Sequence, residues 1–287
     1  MAITAKAVQE LRQLTSAGMM ACKKALTETD GDLEAAAKLL REKGEAKRGD
    51  RADRETSEGI VASYVANDAQ SGVLAAVNCE TDFVAKNEAF QAFVGELVQA
   101  AAGGTATTAE EAVATSFGEG TIENALGAKF AELGEVIKIS KYTRFDAQGT
   151  GAVSSYIHMG GKVGVLLEVG CENEASIGNE VFATLLRDIT LHIAAANPAG
   201  LSRDDIDGSV VEEENEINRK QLIAEGKPEA IIDKILIGKI NKFYSEQVLT
   251  EQSFVKDPDL SIAKLLTAKG KELGDTFTIR RYERFGI

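Results

Sequence analysis

The sequence predicts an α+β protein in which an N-terminal three-helix module precedes a duplicated α+β core, with an antiparallel helical hairpin inserted late in the second copy. Three observations carry this: a helical apolar period over residues 4–43, two internal alignments at fixed shifts, and a further helical stretch where those shifts disagree. With 287 residues, 44% of them apolar, the chain is long enough for two or three compact units.

Thr4 caps a first helix whose Val8, Leu11 and Leu14 share a face, and Gly18 ends it. A second helix runs from Met19-Met20 to Leu26. The turn Thr29-Asp30-Gly31 then leads to Asp32, the cap of a third helix with Leu33, Ala36, Ala37 and Leu40 inward. This module occupies residues 1–44 and is barely large enough to fold alone. From Arg41 to Gly59 there is no Val, Ile, Leu, Met or aromatic residue, so 45–59 reads as a charged, solvated linker.

Residues 61–90 and 153–182, a shift of 92, are identical at twelve of thirty positions: Val61, Ser63, Tyr64, Gly72, Val73, Leu74, Val77, Cys79, Glu80, Asn87, Glu88 and Phe90 recur. Residues 121–145 and 261–285, a shift of 140, share eleven of twenty-five and close in Tyr142-x-Arg144-Phe145 and Tyr282-x-Arg284-Phe285. Each copy reads as a β-hairpin, a helix, variable helical matter and a return strand, giving core subdomains at 60–147 and 148–287. The two shifts differ by 48 residues, an insertion at about 204–250. It holds Val210, Val211, Ile217 and Leu222 on one helix, a Gly226-Lys227-Pro228 turn, and Ile232, Leu236, Ile240 and Phe243 on the next. The hairpin is either a structural arm packed on its own domain or one that reaches a partner.

Charge narrows the function. Lys and Arg total 32 against 45 Asp and Glu, a net charge of -13, which makes nucleic acid a poor partner. Residues 1–48 hold nine basic and seven acidic side chains, a balance of +2 that leaves -15 for the rest and suits the first module to an acidic surface. Cys22, Cys79 and Cys171 are too few and too far apart for a disulfide framework or a zinc site, which fits reduced thiols in a cytosol. The first residues enter the helical pattern without a signal region, and no apolar stretch approaches the ~20 residues of a membrane span. A cytoplasmic protein, neither exported nor membrane-embedded, is expected.

No Ser/His/Asp or Cys/His constellation is present. Gly160-Gly161-Lys162-Val163 lacks the earlier glycine and the hydroxyl of a phosphate loop. His158 lies in a hairpin turn and His192 on an apolar helix, neither with a carboxylate or cysteine at metal-ligand spacing. Cys79 and Cys171 recur at equivalent strand positions, which packing explains better than nucleophilic chemistry. Partner binding, with no covalent catalysis, cofactor or metal, is the expectation.

One window carries a candidate site. Copy one reads Thr81-Asp82-Phe83-Val84-Ala85-Lys86 where copy two reads Asn173-Glu174-Ala175-Ser176-Ile177-Gly178, although both flanks match. A large aromatic beside an acid at a strand-to-helix junction of one copy only is a candidate interface anchor; the alternative is that Phe83 fills the groove beside its own helix. Met19 and Met20 are adjacent, so they face different ways and at least one is exposed.

The run Thr15-x-Ala17-Gly18-Met19-Met20-x-Cys22-Lys23-Lys24-Ala25-Leu26, then Asp30-Gly31-Asp32, then Cys79-x-Thr81-Asp82-Phe83-Val84-Ala85-Lys86, closely resembles the bacterial elongation factor Ts family. The resemblance extends from the N-terminus to nearly the last residue. It implies a ubiquitin-associated-like first module, two related core subdomains, and a coiled-coil hairpin through which a homodimer can form. It implies nucleotide exchange on elongation factor Tu, in its GDP-bound and nucleotide-free forms, with Thr81, Asp82, Phe83 and Val84 dislodging magnesium. Met19 and Met20 would touch the G domain, and His158 would face the GTPase's other end. Some relatives continue into a C-terminal helix, so any contact made by that module is expected to be absent here. A competing reading is a ubiquitin-associated-type adaptor whose core scaffolds other proteins, and a weaker one is a thiol enzyme using Cys79.

Overall fold

The computed structural model describes residues 3–15, 17–50 and 54–287, and the side chains of all these except 44–50. The chain opens with α1 (Ala5–Thr15), α2 (Met19–Glu28) and α3 (Leu33–Asp50). Thr4 caps α1 by accepting from Ala7 N at 3.2 Å, and Val8 and Leu11 are buried. Leu14 departs from the expected face and is largely exposed, because α1 stops one residue later, where the Thr15 hydroxyl donates to Leu11 O at 2.7 Å. Cys22, Ala25 and Leu26 of α2 close this small core with Ala36 of α3. Between α2 and α3, Asp30 and Gly31 both take positive φ (51° and 89°), and Asp32 caps α3 by accepting from Ala35 N at 3.0 Å.

The helix α3 continues to Asp50, so the stretch expected to be linker from residue 45 is helical as far as Asp50; its residues 51–53 lie outside the described residues. The reason is compositional. Ala, Glu, Lys and Arg are good helix formers that propagate a helix without an apolar face, so missing large apolar side chains do not mark the end of the helix.

The first core copy follows: β1 (Glu58–Val65), β2 (Ser71–Cys79), α4 (Asp82–Ala85), α5 (Glu88–Ala102), α6 (Ala109–Val113), the two-residue strands β3 (Ser116–Phe117) and β4 (Gly120–Thr121), α7 (Ile122–Leu133) and β5 (Lys138–Asp146). An antiparallel sheet of order β1-β2-β5 packs Val73, Ala75 and Val77 against Phe90, Val94 and Leu97 of α5. The second copy comprises β6 (Gly151–His158), β7 (Val163–Gly170), α8 (Glu180–Ala196), α9 (Gly208–Ala224), α10 (Glu229–Gln247), β8 (Ser253–Phe254), β9 (Asp257–Ser261), α11 (Ile262–Leu273) and β10 (Thr278–Gly286). Its sheet has the order β10-β7-β6, so in both copies the second hairpin strand is central and the return strand flanks it.

The insertion is the α9–α10 hairpin. Leu222, Ile232 and Leu236 bury one another in a cluster that draws only on the hairpin, and the buried Asn218 accepts from Lys239 Nζ at 2.8 Å. Val210 and Ile217, on the same helix as Leu222, are substantially exposed. The base is pinned by Leu249 N donating to Gly200 O and Ala199 N to Gln247 O, each at 2.8 Å.

The two copies meet around a local twofold axis. Ser63 Oγ donates to Ser155 Oγ at 2.9 Å, and these two residues are each other's equivalents. Val61, Leu74 and Phe145 share one cluster with their counterparts Val153, Leu166 and Phe285. Lys141 lies 5.8 Å from the Phe285 ring centroid, and its counterpart Arg281 lies 4.2 Å from that of Phe145. Gly72 and Gly164 let the sheets approach: a Cβ on Gly72 would sit 2.9 Å from Val153 Cγ1, and one on Gly164 would overlap Val61 Cγ1 with Leu74 Cδ1 at 2.9 Å.

Gly164→Ala is therefore expected to lower stability by about 1–3 kcal/mol through overpacking of this interface. Gly95→Ala on α5, where a Cβ meets nothing within 4 Å, is expected to raise it by about 0.5–1 kcal/mol. Urea unfolding of the two variants beside wild type checks both signs.

Candidate functional site

The strand β2 ends at Cys79, and the chain turns through Glu80 and Thr81 into the single turn of α4. Thr81 is its N-cap, with its hydroxyl oxygen accepting from Val84 N at 3.5 Å. The same hydroxyl donates to Glu135 Oε1 at 2.7 Å, and Thr81 N donates to Glu135 Oε2 at 3.0 Å. In return, Val136 N donates to Glu80 Oε1 at 2.9 Å, while Arg54 pairs with Glu80 Oε2 at 2.8 Å. The segments 80–81 and 135–136 thus clamp each other reciprocally, just beyond Gly134, which ends α7 in the left-handed conformation (φ 77°).

Copy two repeats this clamp with different residues. Asp275, the counterpart of Glu135, accepts from Glu172 N at 2.9 Å, Asn173 N at 3.3 Å and Ser176 Oγ at 2.5 Å. The clamp belongs to the scaffold, and what differs is the side chain it presents. Phe83 is 83% exposed, so the reading in which it fills the groove beside its own helix does not hold. Within the expected quartet only Asp82 and Phe83 face outward. Thr81 is committed to the clamp, and Val84 packs on the core beside the buried Ala85. Asp82 accepts from Lys86 Nζ at 2.6 Å, and this hydrogen bond holds the carboxyl below its usual range and the ammonium above its own.

Met19 and Met20 are 60% and 75% exposed at the start of α2. The residues just before them, Ala17 and Gly18, line a cleft of about 540 Å³ with Gln9, Arg12, Gln13 and Glu132 of α7. The residues that lead into the methionine pair therefore lie beside the last turn of α7, and the Phe83 turn is clamped to residues 135–136 just beyond it. His158 is exposed at the end of β6, with Tyr156 Oη 3.0 Å from its Nδ1. The turn that follows docks on the first copy: Lys162 Nζ donates to Glu58 Oε2 at 2.8 Å, and Glu58 pairs with Cys79 in the β1–β2 register. His158 and the Phe83 turn thus share one end of the paired sheets. Sequence reasoning missed Met159 there, 71% exposed with φ 50°; a large apolar residue before Gly-Gly in a tight turn was the available signal.

Comparison with known proteins decides the family. A family model described as elongation factor TS matches residues 80–287. Elongation factor Ts of Clostridium perfringens (strain 13 / Type A) and that of Clostridium botulinum (strain Eklund 17B / Type B) are each 46% identical over 284 residues, covering 99% of this chain and 92% of theirs. That of Trichlorobacter lovleyi is 43% identical over 288 residues, with the same coverage. The chain belongs to the elongation factor Ts family. Its function is that of the family, guanine nucleotide exchange on elongation factor Tu in translation elongation.

The remaining titratable candidates of this elongation factor Ts chain are buried. Cys79 donates from Sγ to Thr81 O at 3.2 Å, and burial pushes its thiol up to about 11; burial raises Cys171 as well. Among the described residues no group of three or more His, Cys, Asp or Glu is placed to hold a metal ion, and no helix is long and apolar enough to cross a membrane. His192 is buried, donating from Nε2 to Gln252 Oε1 at 3.0 Å and accepting at Nδ1 from Val255 N at 3.3 Å. Burial lowers its pKa from the usual 6.5, so the folded chain holds it neutral.

Because the folded pKa lies below the unfolded one, the unfolded state binds the extra proton first. The stabilisation is complete above pH 6.5 and is lost as pH falls through 6.5 towards the folded value. Urea midpoints are expected to drop between about pH 7.5 and 5.5, with a shallower drop in His192→Gln, whose side chain does not titrate there.

Proposed function

We propose that this chain releases GDP from elongation factor Tu by driving Phe83 as a wedge into the GTPase, so that its magnesium is dislodged, with Asp82 acting beside it. The observation that carries the reading is an aromatic ring 83% exposed on a helix turn anchored at its base, present in one copy and replaced by Ala175 in the other. A side chain that the scaffold neither packs nor needs is free to be buried in a partner. Thr81 holds the turn and Val84 seats it on the core. Met19, Met20 and His158 extend the contact surface, and Met159 belongs with them.

The physics is linkage. A protein that binds the empty GTPase more tightly than the GDP form weakens GDP by the same factor, so no bond is broken and no cofactor is needed. Weakening by 10⁴ takes about 5.5 kcal/mol of differential binding. A buried aromatic anchor supplies ~2–4 kcal/mol, and expelling a divalent cation that bridges protein and phosphate oxygens removes a large local charge. This chain is then an exchange factor without covalent chemistry, working in the cytoplasm without direct contact to nucleic acid or membrane. The exposed Ile223, Ile231 and Ile237 of the α9–α10 hairpin favour its reaching a second polypeptide, and a homodimer through the hairpin is the simplest case.

The test is release of a fluorescent GDP analogue from purified elongation factor Tu. Wild type is expected to accelerate release, and Phe83→Ala to lose about thirtyfold of that acceleration at subsaturating concentration while its thermal melt stays within ~0.5 kcal/mol of wild type. Unchanged exchange by the variant overturns the wedge, and no acceleration by wild type brings the adaptor reading forward.

A further inference from the structure

We propose that Glu135 is a positioning residue for nucleotide exchange: its carboxylate holds the one-turn helix that carries Phe83, and it acts on the partner only through that ring. The proposal rests on the wedge reading above. Phe83 is 83% exposed, so no packing of its own side chain fixes where it points, and the backbone of Asp82–Ala85 has to do so. A helix of one turn does not hold itself together in water, since nucleation is unfavourable and there is no length over which to recover it.

The hydrogen bonds to Glu135 supply what the turn lacks. By donating its proton to Glu135 Oε1 at 2.7 Å, the Thr81 hydroxyl turns a lone pair towards Val84 N, which it accepts at 3.5 Å. Thr81 N is held by Oε2 of the same carboxylate at 3.0 Å, and Thr81 O accepts from Cys79 Sγ at 3.2 Å. Every polar group of the cap residue is thereby committed, and the carboxylate that takes two of them stands directly after the helix end at Gly134. Without it the turn samples other orientations, and apparent affinity for the partner falls by the fraction of time the turn is competent.

The duplication supplies the comparison that separates positioning from plain stability. Asp275 likewise accepts from Asn173 N, the counterpart of Thr81 N, and also from Glu172 N and Ser176 Oγ, but the turn it holds carries Ala175 in place of the wedge. Removing either acid removes a comparable clamp, and only one of the two clamps stands under Phe83.

The experiment measures release of the fluorescent GDP analogue from elongation factor Tu across a concentration series of full-length wild type, Phe83→Ala, Glu135→Ala, Asp275→Ala and the Phe83→Ala/Glu135→Ala double variant, with a thermal melt of each. Glu135→Ala is expected to raise the half-saturating concentration about tenfold with the maximal rate within about twofold of wild type. Asp275→Ala is expected to match wild type in both parameters, whatever its melt. The double variant is expected to exchange no worse than Phe83→Ala alone, because Glu135 works through that ring. If Glu135→Ala does not melt cooperatively, Glu135→Gln, which keeps one acceptor, is judged by the same outcomes. Wild-type kinetics for the Glu135 variant, an equal loss in Asp275→Ala, or additive losses in the double variant each overturn the proposal while leaving the wedge intact. A Phe83→Ala protein that exchanges like wild type overturns both.

Discussion

The close approach of the two sheets at Gly72 and Gly164 is the constraint on which the rest of the core depends. Each glycine faces a valine of the opposite copy, Val153 and Val61, and neither has room for a β-carbon. The local twofold that results sets Ser63 on Ser155 and places a cation from each copy over the closing phenylalanine of the other. Because the contact is nearly symmetric, the β6–β7 turn of the second copy is carried to the start of β1, where Lys162 meets Glu58. That is how residues more than seventy positions apart in sequence come to share one end of the molecule with Phe83.

Symmetry is broken where it serves a purpose. Glu168, fully buried on β7, is held by Arg280 at 3.1 Å, Arg281 at 2.7 Å and Gln148 N at 2.6 Å, while the matching position in copy one is the buried Ala76. A buried carboxylate is tolerable only when paired this fully. Arg281 serves both this carboxylate and the ring of Phe145, so it ties the charged interior of one copy to the apolar face of the other. At the strand-to-helix turn the asymmetry runs the other way: the clamp of copy one holds an exposed aromatic, and that of copy two holds a turn with the small Ala175 at the matching position. A duplicated fold can thus keep its framework in both halves and specialise one turn, because in each copy an acid after the helix end accepts a backbone N–H that any residue but proline offers, and a hydroxyl beside it.

Much of this was legible beforehand, and for identifiable reasons. The identities at shifts of 92 and 140 marked both copies, and the mismatch at Thr81–Lys86 marked the turn the scaffold does not need. The clamp was missed because Glu135 and Asp275 are not identical, although an acid at matching positions was a signal within reach. Leu14 obeyed the helical period yet faces solvent, since periodicity assigns a face but cannot say where the helix loses its neighbour. The extension of α3 was missed because absence of apolar residues was read as absence of helix.

Local pattern by itself determined the element types, the duplication, the insertion and the family, since these depend on residues close in sequence or on direct comparison of one stretch with another. Tertiary structure alone decided that Phe83 projects, that Glu135 holds the turn beneath it, and that His158 shares its end of the paired sheets. Those facts rest on contacts between segments tens of residues apart, and such contacts leave no periodicity in the chain to be read.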